Sequence, residues 1–140
     1  MKPQIHYPAV IVSAVVRFVV GAIWTPLLFT SQWMEFTGWT AEQEAVAQSR
    51  IGITFIAAFG SYVVQGYVLA YLIQSTNAST VMAGMRTGLI VWLGFAAVLL
   101  LQDSLFELRP LGLFAIKAGY ELISLVLMGI ILAVWKKKPA

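Results

Sequence analysis

Cysteine is absent from the 140 residues, and histidine occurs once, at His6. The first absence removes disulfides, thiolate nucleophiles, Cys-ligated zinc and iron–sulfur clusters. The second leaves a single chain unable to build a two-His metal site, and it nearly excludes serine–histidine catalysis. No metal site and no cofactor are expected. Charge is also scarce: 11% of residues are Asp, Glu, Lys or Arg and 60% are apolar, against about 25% and roughly 45–50% in an ordinary soluble domain. With a mean hydropathy of +0.85, the chain reads as an integral membrane protein, with the lipid bilayer as its first partner.

The pI near 9.4 does not point to nucleic acid. Lys136, Lys137 and Lys138 supply the whole basic excess, and the six other basic residues are matched by six acids. Three lysines directly after an apolar run suit a cytoplasmic anchor, whereas a nucleic-acid reader spreads its basic residues over a face.

Four apolar segments, Ala9 to Phe29, Ile51 to Ile73, Val81 to Leu101 and Gly112 to Trp135, are each long enough to cross a hydrocarbon core of about 30 Å as a helix. They lack the strict alternation of a membrane β-barrel. The expected fold is therefore an all-α, four-transmembrane-helix bundle forming one domain over residues 1–140. The first segment is too long for a signal-peptide core, carries Arg17 mid-span and ends in Trp24-Thr25-Pro26, so it is read as retained. With the N-terminus inside, Lys2, Arg86 and the terminal lysines lie on the cytoplasmic side, while Arg50, Arg109 and most of the acids fall in two outer loops. The expected location is a bacterial cytoplasmic (inner) membrane with both termini cytoplasmic.

The first outer loop carries its own signals. Thr40-Ala-Glu-Gln43 has the form of a capping box. It predicts a helix from Ala41 that runs unbroken through Arg50 into span two, extending that helix beyond the membrane. Before it, Thr30 to Gly38 reads as a short re-entrant or interfacial segment.

Polar and small residues inside the spans are the candidate functional features. Thr54, Ala58, Ser61 and Gln65 share one face of span two, and Gly84 with Gly88 forms a small-xxx-small pair suited to close helix contact. Arg86 points away from that pair and is close enough to the inner surface to snorkel. Arg17 lies near mid-span, where a charge costs roughly 2.5–3.5 kcal/mol. Span four places Lys117, Glu121, Ser124 and Met128 on one stripe, with Glu121 near mid-depth. Arg17, Lys117 and Glu121 are thus expected to meet inside the bilayer, with Arg17 and Glu121 as direct partners.

Two readings of that cluster compete. It is either a buried ion pair that locks spans one and four, or a polar site for an ion or amphiphile, with Ser124 and Gln65 as further candidates. The surplus cation favours the second reading, because it leaves capacity for an anionic group or a second carboxylate such as Glu107.

Several stretches resemble one family. Gly21-Ala-Ile-Trp24-Thr-Pro26-Leu-Leu-Phe29 followed by Trp33-Met34, then Gly88-Leu-Ile-Val-Trp92-Leu-Gly94-Phe95, and Leu105-Phe106-Glu107-Leu-Arg109-Pro110 leading to Ala118-Gly119-Tyr120 and Met128-Gly129, are similar to the small membrane proteins grouped as domain of unknown function 1761. The resemblance implies a four-span bundle and no assigned activity. The leading expectation is a homo-oligomeric bundle that binds or passes a small ion, a lipid or another amphiphile. The alternative is a structural or accessory subunit. An enzyme ranks third, since neither Asp103 with Glu107 nor His6 begins a convincing active site.

Overall fold

The computed structural model describes residues 4–136, and within them the chain is all-α, with six helices. They are α1 (Tyr7–Leu28), α2 (Thr30–Thr37), α3 (Ala41–Ser49), α4 (Ile51–Ser75), α5 (Val81–Phe106) and α6 (Leu111–Val134). Four of them, α1, α4, α5 and α6, have 22 to 26 residues and are apolar enough to cross a membrane. At about 1.5 Å per residue these lengths exceed the roughly 30 Å hydrocarbon core. Lys2, Lys137 and Lys138, on which the expected orientation partly rests, lie outside the described residues.

Local chemistry sets the helix ends. Thr40 caps α3 as a full capping box: the Gln43 N–H donates to its hydroxyl at 3.2 Å, and its own N–H donates to Gln43 Oε1 at 2.9 Å. Gly38, at φ +60°, closes α2 with its N–H on the Met34 carbonyl. Asn77 and Leu108 hold φ near +55° after α4 and α5. In each turn the following N–H reaches back five residues, Ala78 to Ile73 and Arg109 to Ser104, so that the last carbonyls of both helices are satisfied.

The unbroken helix expected from Ala41 into span two is interrupted. Arg50 leaves helical geometry (φ −110°, ψ 9°), ending α3, and α4 starts afresh at Ile51. The physical reason is that α3 has only Val46 as a large apolar side chain. It has no stripe continuous with that of α4, so packing does not hold the two collinear.

Two spans contain π-helical turns, at Trp24–Leu28 in α1 and Trp92–Ala97 in α5. The first surrounds Pro26, which has no N–H to give the ladder and whose ring crowds the preceding turn, so a widened turn accommodates it.

The packing is not four-square. α6 is the central helix and touches all three other spans, whereas α4 and α5 barely meet. At Gly84 and Gly88 of α5 a Cβ would collide with the backbone of Gly129 and Leu125 in α6, and a Cβ at Gly129 would collide with Gly84 in return. In lipid, where apolar burial gives little drive, such backbone approach is a main source of attraction. Gly66 of α4 similarly sits against Ser13 of α1. Of the span-two face of Thr54, Ala58, Ser61 and Gln65, Ala58 is half-buried and the three polar members are exposed, and α4 packs instead through Gly66, Leu69, Ala70 and Ile73. The buried cluster of Ile5, Val10, Leu69, Ile73, Met128 and Leu132 fills the end of the bundle where α1 begins and α6 ends, and where His6 meets Trp135 edge to face at 5.2 Å.

Candidate functional site

At mid-height the bundle holds a charge pair. Arg17 lies ten residues from the start of α1 and Glu121 ten from the start of α6. Because the two helices enter from opposite ends, both residues come to about half of a 30 Å span. Arg17 Nη2 donates to Glu121 Oε1 at 2.5 Å, with the Arg17 side chain 2% exposed and that of Glu121 23% exposed. This is the partnership expected between Arg17 and Glu121.

The guanidinium is also sandwiched by two phenol rings. Its carbon lies 4.6 Å from the Tyr62 centroid and 5.1 Å from that of Tyr120. A cation desolvated between aromatic faces gains on the order of 2 kcal/mol, which offsets part of its burial cost. The Tyr120 hydroxyl lies 3.2 Å from the Tyr62 hydroxyl and 3.3 Å from the Arg17 carbonyl oxygen, linking α6, α4 and α1. Arg17 Nε and Nη1 and the buried Ser124 hydroxyl have no hydrogen-bond partner among the described residues. The two tyrosines were not singled out from sequence as part of the site. The available signal was depth, since Tyr62 and Tyr120 both fall mid-span whereas tyrosine favours the interfaces.

Lys117 does not join the cluster. It is exposed and makes no ion pair with Glu121 among the described residues. It lines a separate cleft of about 150 Å³ at the far end of the bundle, with Trp33, Asp103, Ser104 and Arg109. One turn of α6 above Glu121, the helix faces α2 and the end of α5 instead of the middle of α1, and the long lysine stem carries its charge toward the polar end. Glu107 is also elsewhere, paired with Arg109 at 3.3 Å on the surface. The expected surplus cation is thus absent from the Arg17–Glu121 pair.

Glu121 has a second face. A groove of about 430 Å³ runs between α4 and α5, floored by α6, and among the described residues Glu121 is the one ionisable side chain along it. Gln65 also lines this groove, which otherwise consists of aliphatic residues and Phe95. The groove exists because α5 is drawn onto α6 at its glycines while α4 is drawn onto α1, leaving the α4–α5 seam open. Its volume falls within the range of small-molecule sites, about 300–1,000 Å³.

Two indoles brace α6 beside the pair. Trp24 Nε1 donates to the Ile116 carbonyl at 3.0 Å and Trp92 Nε1 to the Ala118 carbonyl at 2.8 Å. Each tryptophan opens a π-helical turn, and together they clamp the stretch of α6 just before Glu121. No group of three or more metal-ligating side chains occurs among the described residues.

Comparison with known proteins adds a family: the family model described as "Protein of unknown function (DUF1761)" matches residues 8–133. No curated protein and no solved structure matches the chain.

Proposed function

The chain belongs to the DUF1761 family, and from its groove and buried ion pair we propose that it is a membrane bundle that binds an amphiphile between α4 and α5. The observation that carries this reading is Glu121, a carboxylate at mid-depth that is only partly enclosed and lines an otherwise apolar groove. A charge retained in hydrocarbon is costly, and one that borders a cavity marks a ligand or ion pathway more often than a fastener. An acyl chain fits the apolar walls, and Gln65 with Glu121 supplies the few polar contacts that orient a ligand. Passage of a small ion is the less favoured form of the same reading. Four helices enclose little volume, so a pathway for an ion would call for a second copy of the chain. Both termini are proposed to lie on the cytoplasmic side, which puts the Lys117 cleft at the outer face.

The groove is tested by filling it. Val68 lines it and is otherwise exposed, so Val68→Trp should block the groove without disturbing the core. Native mass spectrometry of gently extracted protein should find amphiphile on the wild type and about tenfold less on Val68→Trp, the factor for roughly 1.4 kcal/mol of lost contact. Equal occupancy in two equally stable proteins would reject the groove.

A second reading has its own observation. Arg17 is almost wholly buried between α1 and α6, so the pair also locks those helices, and an accessory subunit would need nothing more from it.

A further inference from the structure

The charge balance at Glu121 bears on the headgroup that the groove takes. Resting on the amphiphile reading above, we propose that the preferred ligand is a neutral, hydroxyl-headed amphiphile, bound by donation of its O–H to the Glu121 carboxylate with Gln65 at the side, and not a cationic or anionic lipid.

Arg17 donates to Glu121 Oε1, and Oε2 has no hydrogen-bond partner among the described residues. The carboxylate therefore still accepts, but its charge is already neutralised by a cation at hydrogen-bond distance. Lys117, the group that would have made the site net positive, is one turn away in a different cleft. A cationic head approaching Oε2 is attracted by Glu121 but also repelled, from somewhat farther off, by the Arg17 guanidinium on Oε1, so only part of the attraction remains to offset the loss of its hydration. For an anionic head the signs are reversed: Glu121, which lines the groove, repels it, and the unpartnered Nε and Nη1 of Arg17 are buried, with the guanidinium held between Tyr62 and Tyr120. A hydroxyl gives up only one hydrogen bond to water. It regains a charge-assisted one, which is about twice as strong as a neutral pair. The Gln65 amide, which both donates and accepts, lines the same groove and suits a head with a second hydroxyl or an ester carbonyl.

Three photoactivatable probes with the same sixteen-carbon diazirine chain separate these possibilities: the alcohol, the sulfate and the trimethylammonium, of which the last two stay charged at any working pH. They are added to the full chain in phosphatidylcholine nanodiscs, and labelled residues are mapped by peptide mass spectrometry. The alcohol should label Val64, Phe95 and Leu99 about tenfold more than either charged probe, and Gln65→Leu should reduce that labelling while leaving the fold intact. Glu121→Gln, where it folds, should shift preference to the sulfate, because Arg17 is then unbalanced. Equal labelling of the groove by all three probes, or a charged probe ahead in the wild type, would overturn the hydroxyl preference while leaving the groove a binding site. If no probe labels the groove above the outward faces of α4 and α5, the amphiphile reading falls, and this inference falls with it.

Discussion

Arg17 is the residue on which the interior depends, because it is buried, charged and bonded through one of its three nitrogens. Removing its partner leaves an uncompensated cation, and removing Arg17 leaves an uncompensated anion. Either truncation of a buried pair costs about 3–5 kcal/mol in soluble proteins, whereas replacing both members with apolar groups is often close to neutral. Arg17→Met and Glu121→Met should therefore each lower the unfolding midpoint strongly in nanodiscs, and the double substitution should recover most of the loss. Failure of the double variant to recover would show that the two charges do not act as a pair. The same variant divides the functional readings: a folded double-Met protein that no longer labels with the C16 alcohol makes Glu121 a ligand contact, and one that labels as before makes the pair a lock.

At the scale of elements, the α5–α6 contact and the open α4–α5 seam have one cause. Gly84 and Gly88 let the backbones of α5 and α6 touch, so a side chain there must push the helices apart. Overpacking of this kind costs roughly 1–3 kcal/mol or more. Gly84→Leu should lower folded yield and thermal stability and, because α5 would be pushed off the α6 floor of the groove, should also reduce C16 alcohol labelling. Gly60 of α4, where a Cβ would meet nothing within 4 Å, is the control. Gly60→Ala should be neutral or stabilising by up to about 1 kcal/mol through helix propensity alone. An unchanged Gly84→Leu protein would place that glycine face against lipid.

For the whole molecule, His6, Trp135 and the α4–α5 turn gather at one end of the bundle, where the buried apolar cluster also lies. The Lys117 cleft, α2 and α3 occupy the other end. The proposed orientation puts the first end in the cytoplasm, following the bias of basic flanks. Reporter fusions after Ala140 and within the turn at Asn77 should both read as cytoplasmic, and an external signal from either would invert the assignment. Inversion would move the Lys117 cleft to the cytoplasmic face but leave Glu121 at mid-depth, so the groove reading does not depend on the outcome.

How much of this was legible in sequence follows from what each feature depends on. Four long helices were determined by composition and run length, because hydrocarbon admits only spans whose backbone is satisfied internally. The depth of a residue is also a sequence property: counting from the ends of Tyr7–Leu28 and Leu111–Val134 is enough to set Arg17 and Glu121 at one level. Capping at Thr40 and close approach at Gly84 and Gly88 are local or composition-driven, and they too were readable. Which neighbour a helix face meets is not encoded in its own spacing. It depends on how all four helices turn about their axes to satisfy their tightest contacts at once. For that reason only the tertiary structure decided that the glycines meet α6, that Lys117 turns away from Arg17, that Tyr62 and Tyr120 enclose the guanidinium, and that the α4–α5 seam stays open beside Glu121.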